Sequence, residues 1–141
     1  MEQEGEVKQS QIAESIARKA HAGQFRRDGV TPYITHPEAV AAMFKDDTLK
    51  AIAWLHDVIE DTEYSTGDII DEGISDDVIT ALMYLTHDPA EDYWSYVNGV
   101  SVHRSATLVK LADIFHNLSS NPTDKQKRKY ADAVKILINA I

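Results

Sequence analysis

The chain has 141 residues, 43% of them hydrophobic, so we expect a single domain spanning residues 1–141. Because it contains no cysteine, it holds neither a disulfide scaffold nor a cysteine-ligated zinc or iron–sulfur site. A net charge of −9 argues against a protein that binds nucleic acid or an anionic membrane surface through a broad basic face.

The N-terminal segment MEQEGEVKQS lacks the apolar stretch of a signal peptide. No run of 18 apolar residues occurs anywhere in the sequence. We therefore expect no membrane span. The lack of cysteine fits a reducing compartment, so we expect a cytoplasmic protein.

Helical periodicity begins with Ile12, Ile16 and Ala20, which predict a first helix ending near His21 or Ala22. The following stretch, GQFRRDGVTPYITHP, holds two glycines and two prolines and predicts a loop rich in polar side chains. Pro37 suits the first turn of a second helix.

A third amphipathic helix is predicted from Leu49 through Ile59, running into the segment HDVIEDT. Two helices follow, capped by Thr66 and Ser75. Another is expected around residues 93–100. These patterns contain no competing strand signal, so the predicted fold class is all-α.

The two last helices are predicted from their apolar stripes and their ends. In the first of them, Leu108, Leu111 and Phe115 form the stripe expected to face the core, and Asn121 and Pro122 end the helix. The final helix starts at about residue 123.

Acidic residues are concentrated in residues 46–101, which hold fourteen aspartates and glutamates and one basic residue, Lys50. Such a segment is typical of a solvated face. It also contains a tighter group: His56 and Asp57 are adjacent, and Glu60 and Asp61 follow one helical turn later. Carboxylates packed this closely repel one another unless they are exposed or bind a cation.

Two more residues are candidates for the same cation site. His36 precedes Pro37 at a predicted helix start, and Asp113 is the one acid in the run LVKLADIFHNL. An ion pair between Asp113 and Lys110, three residues earlier, is the simpler alternative. Two imidazoles and two carboxylates without a thiolate suit Mn(II) or Fe(II), and Zn(II) is also compatible.

The residues occur in three blocks, HAGQFRRDGVTPYITHP (21–37), AIAWLHDVIEDT (51–62) and VKLADIFHNL (109–118). In this order they resemble the HD-domain metal-dependent phosphohydrolases, a family whose fold is a helical bundle. Within that family, the chain is similar to the hydrolase domain of RelA/SpoT-type alarmone enzymes and to the stand-alone small alarmone hydrolases.

The resemblance implies a role for each block. One divalent ion, usually manganese, would be held by His36, His56, Asp57 and Asp113. Glu60 and Asp61 would position and activate the attacking water, and a small-molecule nucleotide would contact the remaining matched positions: Arg26, Arg27, Tyr33, Lys110 and Asn117. The implied reaction removes the 3′-pyrophosphate of (p)ppGpp.

The chain departs from the family pattern at two positions. Ile114 stands where the family usually has arginine, and Ser119 stands where a phosphate-directed arginine is common. These departures leave two alternatives open: an HD-type nucleotidase or phosphatase acting on another nucleotide, and a non-catalytic nucleotide-sensing module. The sequence does not predict the oligomeric state.

Overall fold

The computed structural model describes residues 7–141, and within them it contains nine helices and one isolated β-bridge. The predicted all-α class is confirmed. Residues 1–6, which belong to the segment expected to lack a leader, lie outside the described residues. No helix in the described part is long and apolar enough to cross a membrane. The helices are α1 (Gln9–Ala20), α2 (Thr35–Ala42), α3 (Asp47–Leu55), α4 (Val58–Asp61), α5 (Thr66–Asp71), α6 (Asp76–Leu85), α7 (Tyr93–Val100), α8 (Arg104–Leu118) and α9 (Asp124–Ile138).

Helix α3 is the centre of the bundle and contacts α1, α2, α6 and α8. Ala51, Ile52, Ala53 and Leu55 on this helix are completely buried. Burying a side chain of the size of Ile52 or Leu55 contributes about 1.5–3 kcal/mol. The C-terminal end of α3 is therefore fixed in the interior, where it delivers the histidine and aspartate that follow.

The prediction of one continuous helix from Leu49 into the acid pair is wrong, because the helix breaks at His56 and Asp57. The His56 ring Nδ1 lies 2.6 Å from the carbonyl oxygen of Ala53 and bonds to it. That oxygen would otherwise accept the backbone N–H of Asp57. The break turns both side chains inward, and α4 starts afresh at Val58.

The loop between α1 and α2 is a compact hairpin. Phe25 pairs with Pro32 in the isolated bridge, and the Asp28 carboxylate accepts the backbone N–H groups of Val30 and Thr31, each at 2.8 Å. Gly29 has a φ of +73°, which glycine adopts without strain. The two arginines of this segment are thus carried on ordered backbone.

Two smaller predictions need correction. Ser65 rather than Thr66 caps α5, through a reciprocal pair of hydrogen bonds with Asp68. Phe115, expected in the core, is 50% exposed. The face of α8 that is buried contains Asp113 and Ile114 instead. On this face Asp113 contacts His36 and His56 in the interior.

Candidate metal centre

The four predicted ligand residues converge from α2, the break after α3, and α8. Nε2 of His36 lies 2.8 Å from Asp113 Oδ1 and 3.8 Å from Asp57 Oδ2. Nε2 of His56 lies 3.3 Å and 3.1 Å from the same two oxygens. One donor atom from each residue lies within 4.8 Å of the other three. This arrangement can hold one metal ion, and the ligand roles themselves stay a prediction.

The other nitrogen of each imidazole is also engaged. Nδ1 of His56 bonds to the Ala53 carbonyl, and Nδ1 of His36 lies 2.7 Å from Nδ1 of His116. A contact at Nδ1 restrains the orientation of each ring, so the Nε2 atoms face the carboxylates. In His56 the partner is a carbonyl oxygen, so Nδ1 is the proton donor. Orientation through the second nitrogen is a recurring feature of metal-binding histidines.

Buried charges in the cluster compensate one another. Burial alone would raise the pKa of Asp113, but the ammonium of Lys110 at 2.9 Å and the two imidazoles outweigh it and hold that pKa well below its usual range. Burial opposes the charged form of His56, and the neighbouring carboxylates overcome this and raise its pKa. Asp113 therefore makes both the simple ion pair with Lys110 and the contacts of the cluster.

Tyr33 and Asn117, predicted to bind substrate, reach the cluster itself. The Tyr33 hydroxyl donates to Asp57 Oδ2, and the Asn117 amide donates to Asp113 Oδ1 at 3.3 Å. Burial, together with the Asp57 charge, raises the pKa of Tyr33, so it remains a hydrogen-bond donor. Both side chains restrain a carboxylate of the cluster while bordering the neighbouring cleft.

The acid pair, Glu60 and Asp61, forms the end of the short helix α4 that follows His56 and Asp57. Glu60 is held by the loop after α6, because its Oε1 accepts the backbone N–H of His87 at 2.8 Å. The backbone oxygen of Asp61 accepts from Gln24 Nε2 at 3.0 Å. Asp61 is exposed, but partial desolvation of its carboxyl and the charges of Asp57 and Glu60 raise its pKa to about 6, which suits proton transfer near neutral pH.

A cleft of about 850 Å³, here called the arginine cleft, opens on one side of the cluster. Nη2 of Arg26 lies 3.4 Å from Asn117 Oδ1 and 3.2 Å from Ser120 Oγ, while its Nη1 is buried without a hydrogen bond among the described residues. Nη1 of Arg27 bonds Gln126 at 3.1 Å. The lining residues are Arg26, Arg27, Asp28, Thr31, Tyr33, Thr35, His116, Asn117, Ser119, Ser120, Asn121, Gln126 and Tyr130.

A second cavity, here called the lysine cavity, has a volume of about 300 Å³ and includes cluster residues in its wall. Lys110 and Lys129 both border it. Its lining residues are His56, Asp57, Glu60, Leu85, His87, Tyr93, Tyr96, Lys110 and Lys129. His56 and Asp57 thus line the lysine cavity, whereas the arginine cleft reaches the cluster through Tyr33, His116 and Asn117, which bond to its residues. Both cavities contain basic side chains.

Two histidines outside the predicted site residues also lie at the site. His116 contacts His36, and the His87 ring packs against the Tyr96 ring in the lysine cavity. The signal for His116 was its spacing, since it follows Asp113 by three residues and therefore lies on the same helical face.

The sequence of the chain is similar to those of curated enzymes that act on guanosine polyphosphates. The chain is 37% identical over 141 residues to a guanosine-3′,5′-bis(diphosphate) 3′-pyrophosphohydrolase of Haemophilus influenzae, covering 86% of this chain and 20% of that protein. It is 34% identical over 151 residues to the bifunctional (p)ppGpp synthase/hydrolase SpoT of Escherichia coli K12, covering 94% of this chain and 21% of the relative. Over most of its own length, the chain is therefore similar to one part of each of these (p)ppGpp enzymes. It spans about a fifth of the length of these curated relatives, and no family model matches it.

A solved structure gives the same result for the fold. It is described as a metazoan ortholog of SpoT that hydrolyses ppGpp, and it superposes with a TM-score of 0.75 at 24% sequence identity. The match covers 96% of this chain and 86% of that protein. This likeness supports the helical bundle predicted from the RelA/SpoT resemblance.

Proposed function

We propose that this chain is a metal-dependent pyrophosphohydrolase that removes the 3′-diphosphate of guanosine 3′,5′-bis(diphosphate). The observation that carries the proposal is the four-donor cluster lying beside Glu60 and Asp61 and next to the arginine cleft. The names of the related enzymes support the substrate.

The proposed ion is held by His36, His56, Asp57 and Asp113. Such an ion polarises a phosphoryl oxygen and lowers the pKa of a water molecule. Two imidazoles and two carboxylates without a thiolate favour Mn(II), with Fe(II) and Zn(II) as alternatives. We propose a cytoplasmic location because a chain without cysteine fits a reducing compartment.

The chain's own residues manage the protons and the substrate. Asp61, assisted by Glu60, accepts a proton from the attacking water as its oxygen bonds to the phosphorus next to the ribose. The bond between that phosphorus and O3′ breaks, O3′ gains a proton, and diphosphate leaves. Asp61 is suited to this role because its pKa lies near 6.

The arginine cleft takes the nucleoside part. Its volume of about 850 Å³ is within the range of small-molecule sites. A guanidinium stacks on a purine and donates hydrogen bonds to it, so Arg26 and Arg27 are assigned to the base. Asn117 bridges Arg26 and Asp113 and is therefore placed to contact the ribose.

The test is an assay of protein stripped of metal and reloaded with Mn(II), with ppGpp as substrate. Anion-exchange chromatography of the quenched reaction should show diphosphate and GDP as products. The Asp57→Asn variant should lose the activity, and Asp76→Asn, which removes an exposed charge at the start of α6, should retain it. Absence of diphosphate release by the Mn(II)-loaded wild-type protein would refute the proposal.

One observation favours a second candidate, an HD-type phosphatase acting on another nucleotide. Ser119 borders the arginine cleft and donates to the backbone oxygen of His116, so it provides no cation where the family often has one. Release of inorganic phosphate from other nucleotides, with ppGpp left intact, would support this candidate.

A further inference from the structure

Lys129 occupies an unusual position in the lysine cavity. It is half-buried on α9, and its ammonium lies 4.2 Å from the centroid of the Tyr93 ring. Among residues 7–141 it makes no ion pair and no hydrogen bond to a side chain. By contrast, Lys110 in the same cavity is neutralised by Asp113. One cation of the cavity therefore has a buried counter-charge and the other has none.

Tyr93 adds a second unsatisfied donor. Its hydroxyl is buried and has no hydrogen-bond partner in the described part of the chain. A buried hydroxyl without a partner costs free energy, and a ligand oxygen would remove that cost. Burial and the nearby ammonium of Lys110 also lower the pKa of Lys129, as expected for a cation without an acceptor.

These groups select a ligand with several acceptor oxygens and negative charge. The volume of about 300 Å³ is at the lower limit for small-molecule sites, so a compact anion fits the cavity better than a nucleoside does. Because His56 and Asp57 form part of its wall, an anion here adjoins the proposed metal ion. That ion offsets the repulsion from Asp57 and Glu60.

We infer that Lys129, together with the Tyr93 hydroxyl, binds the phosphate of the 3′-diphosphate that lies farther from the ribose. The inference rests on the proposed function, and it adds a specificity residue from α9 that the sequence motifs do not contain. The nucleoside would occupy the arginine cleft, the inner phosphate would lie at the metal cluster, and the outer phosphate would enter the lysine cavity. Lys129 would thus distinguish a diphosphate from a monophosphate.

The experiment tests two variants, Lys129→Ala and Lys129→Met, and the second of these keeps a long aliphatic side chain. The matched control is Lys127→Ala. Lys127 lies on the same helix, with its side chain 60% exposed and 3.9 Å from Asp124. Each variant is loaded with Mn(II), and free Mn(II) is kept constant. Two quantities are measured: kcat/KM for ppGpp, and the dissociation constants of inorganic diphosphate and GDP. Chelation of Mn(II) by diphosphate affects all variants equally, so the ratios between variants are compared.

We expect both Lys129 variants to bind diphosphate about tenfold more weakly and to lose a similar factor in kcat/KM for ppGpp. GDP binding should stay within about twofold, because GDP has no 3′-phosphate. Tyr93→Phe should weaken diphosphate binding by a smaller factor, and Lys127→Ala should resemble wild type.

The inference is overturned if diphosphate binds the Lys129 variants as tightly as it binds wild type, or if GDP and diphosphate weaken together. Active wild type with unaffected Lys129 variants would refute the inference while the proposed function stands. Inactive wild type whose diphosphate binding depends on Lys129 would refute the proposed function and keep the anion site.

Discussion

Nδ1 of His36 and Nδ1 of His116 lie 2.7 Å apart, and this contact directs Nε2 of His36 toward Asp113. One of the two Nδ1 atoms donates a proton and the other accepts it. Burial, and to a lesser degree His36, lowers the pKa of His116, so the neutral imidazole is favoured. His116 therefore acts as a positioning residue for a proposed metal ligand.

Replacing His116 by phenylalanine should weaken metal binding by about 10- to 100-fold, the usual effect of removing a group that orients a ligand. Competition with a coloured chelator measures the affinity. His116→Gln, which keeps a hydrogen-bonding group, should retain more of it. His103→Phe is the control, because His103 caps the start of the same helix and lies outside the cluster. Unchanged affinity in His116→Phe would exclude the positioning role.

The side of α8 that faces the interior is not predictable from the spacing of its residues. Spacing predicts which residues share a helical face, but it does not reveal which face turns inward. Phe115 had the apolar side chain expected in the core, yet α8 buries Asp113 and exposes Phe115. The favourable contacts of a satisfied polar cluster decided the rotation, and they depend on His36 and His56 from distant parts of the chain.

The sequence predicts which residues form the cluster better than it predicts the backbone conformation that brings them together. His36, His56, Asp57 and Asp113 were grouped from motif blocks, and the structure brings them together. The break at residues 56–57 escaped prediction because helical periodicity continues through Ile59. A hydrogen bond from the His56 side chain to the backbone oxygen of Ala53 accompanies the end of the helix, and periodicity carries no signal for such a bond.

Asp113→Ala should lower the free energy of unfolding of the metal-free protein by about 3–5 kcal/mol, since it leaves the buried ammonium of Lys110 unpaired. Urea denaturation of both proteins in the presence of EDTA measures the difference. Asp124→Ala is a matched control, because it removes the exposed partner of Lys127 and should change stability by no more than about 1 kcal/mol. A loss as small as that of the control would show that Lys110 finds solvent or another partner.

Asp61 should titrate with a pKa of about 6 in the metal-free protein, since burial and the charges of Asp57 and Glu60 raise it. Carbon-13 NMR of the side-chain carboxyl follows this titration. The folded pKa exceeds the unfolded value, so the contribution of Asp61 to stability is present at pH values below the unfolded pKa and is lost as the pH rises through about 6. Asp61→Asn should remove this part of the pH dependence.

A bound cation should lower the pKa of Asp61, because a nearby positive charge stabilises the ionised carboxylate. Zn(II) is diamagnetic and allows the same NMR titration in the loaded protein. Protons and metal would then compete through this residue, and metal affinity should fall with decreasing pH. A carboxyl titration that Zn(II) leaves unchanged would show that Asp61 does not sense the metal centre.

Arg26 tests the nucleoside half of the site. Nη1 is buried without a partner in residues 7–141, and Nη2 contacts Asn117 and Ser120, so the guanidinium is held in place with one donor available to a ligand. Lysine carries the same charge but has neither the planar face nor the second nitrogen. Arg26→Lys should therefore weaken ppGpp and GDP equally, by about tenfold, and leave inorganic diphosphate binding near wild type. Arg128→Lys, an exposed change on α9, is the control.

The binding pattern expected for Arg26→Lys, with GDP weakened and diphosphate unchanged, is the reverse of that expected for the Lys129 variants. Together, the variants of Arg26 and Lys129 show whether the arginine cleft and the lysine cavity bind different parts of one substrate. Equal loss of GDP and diphosphate in both variants would mean that the two cavities do not divide the substrate.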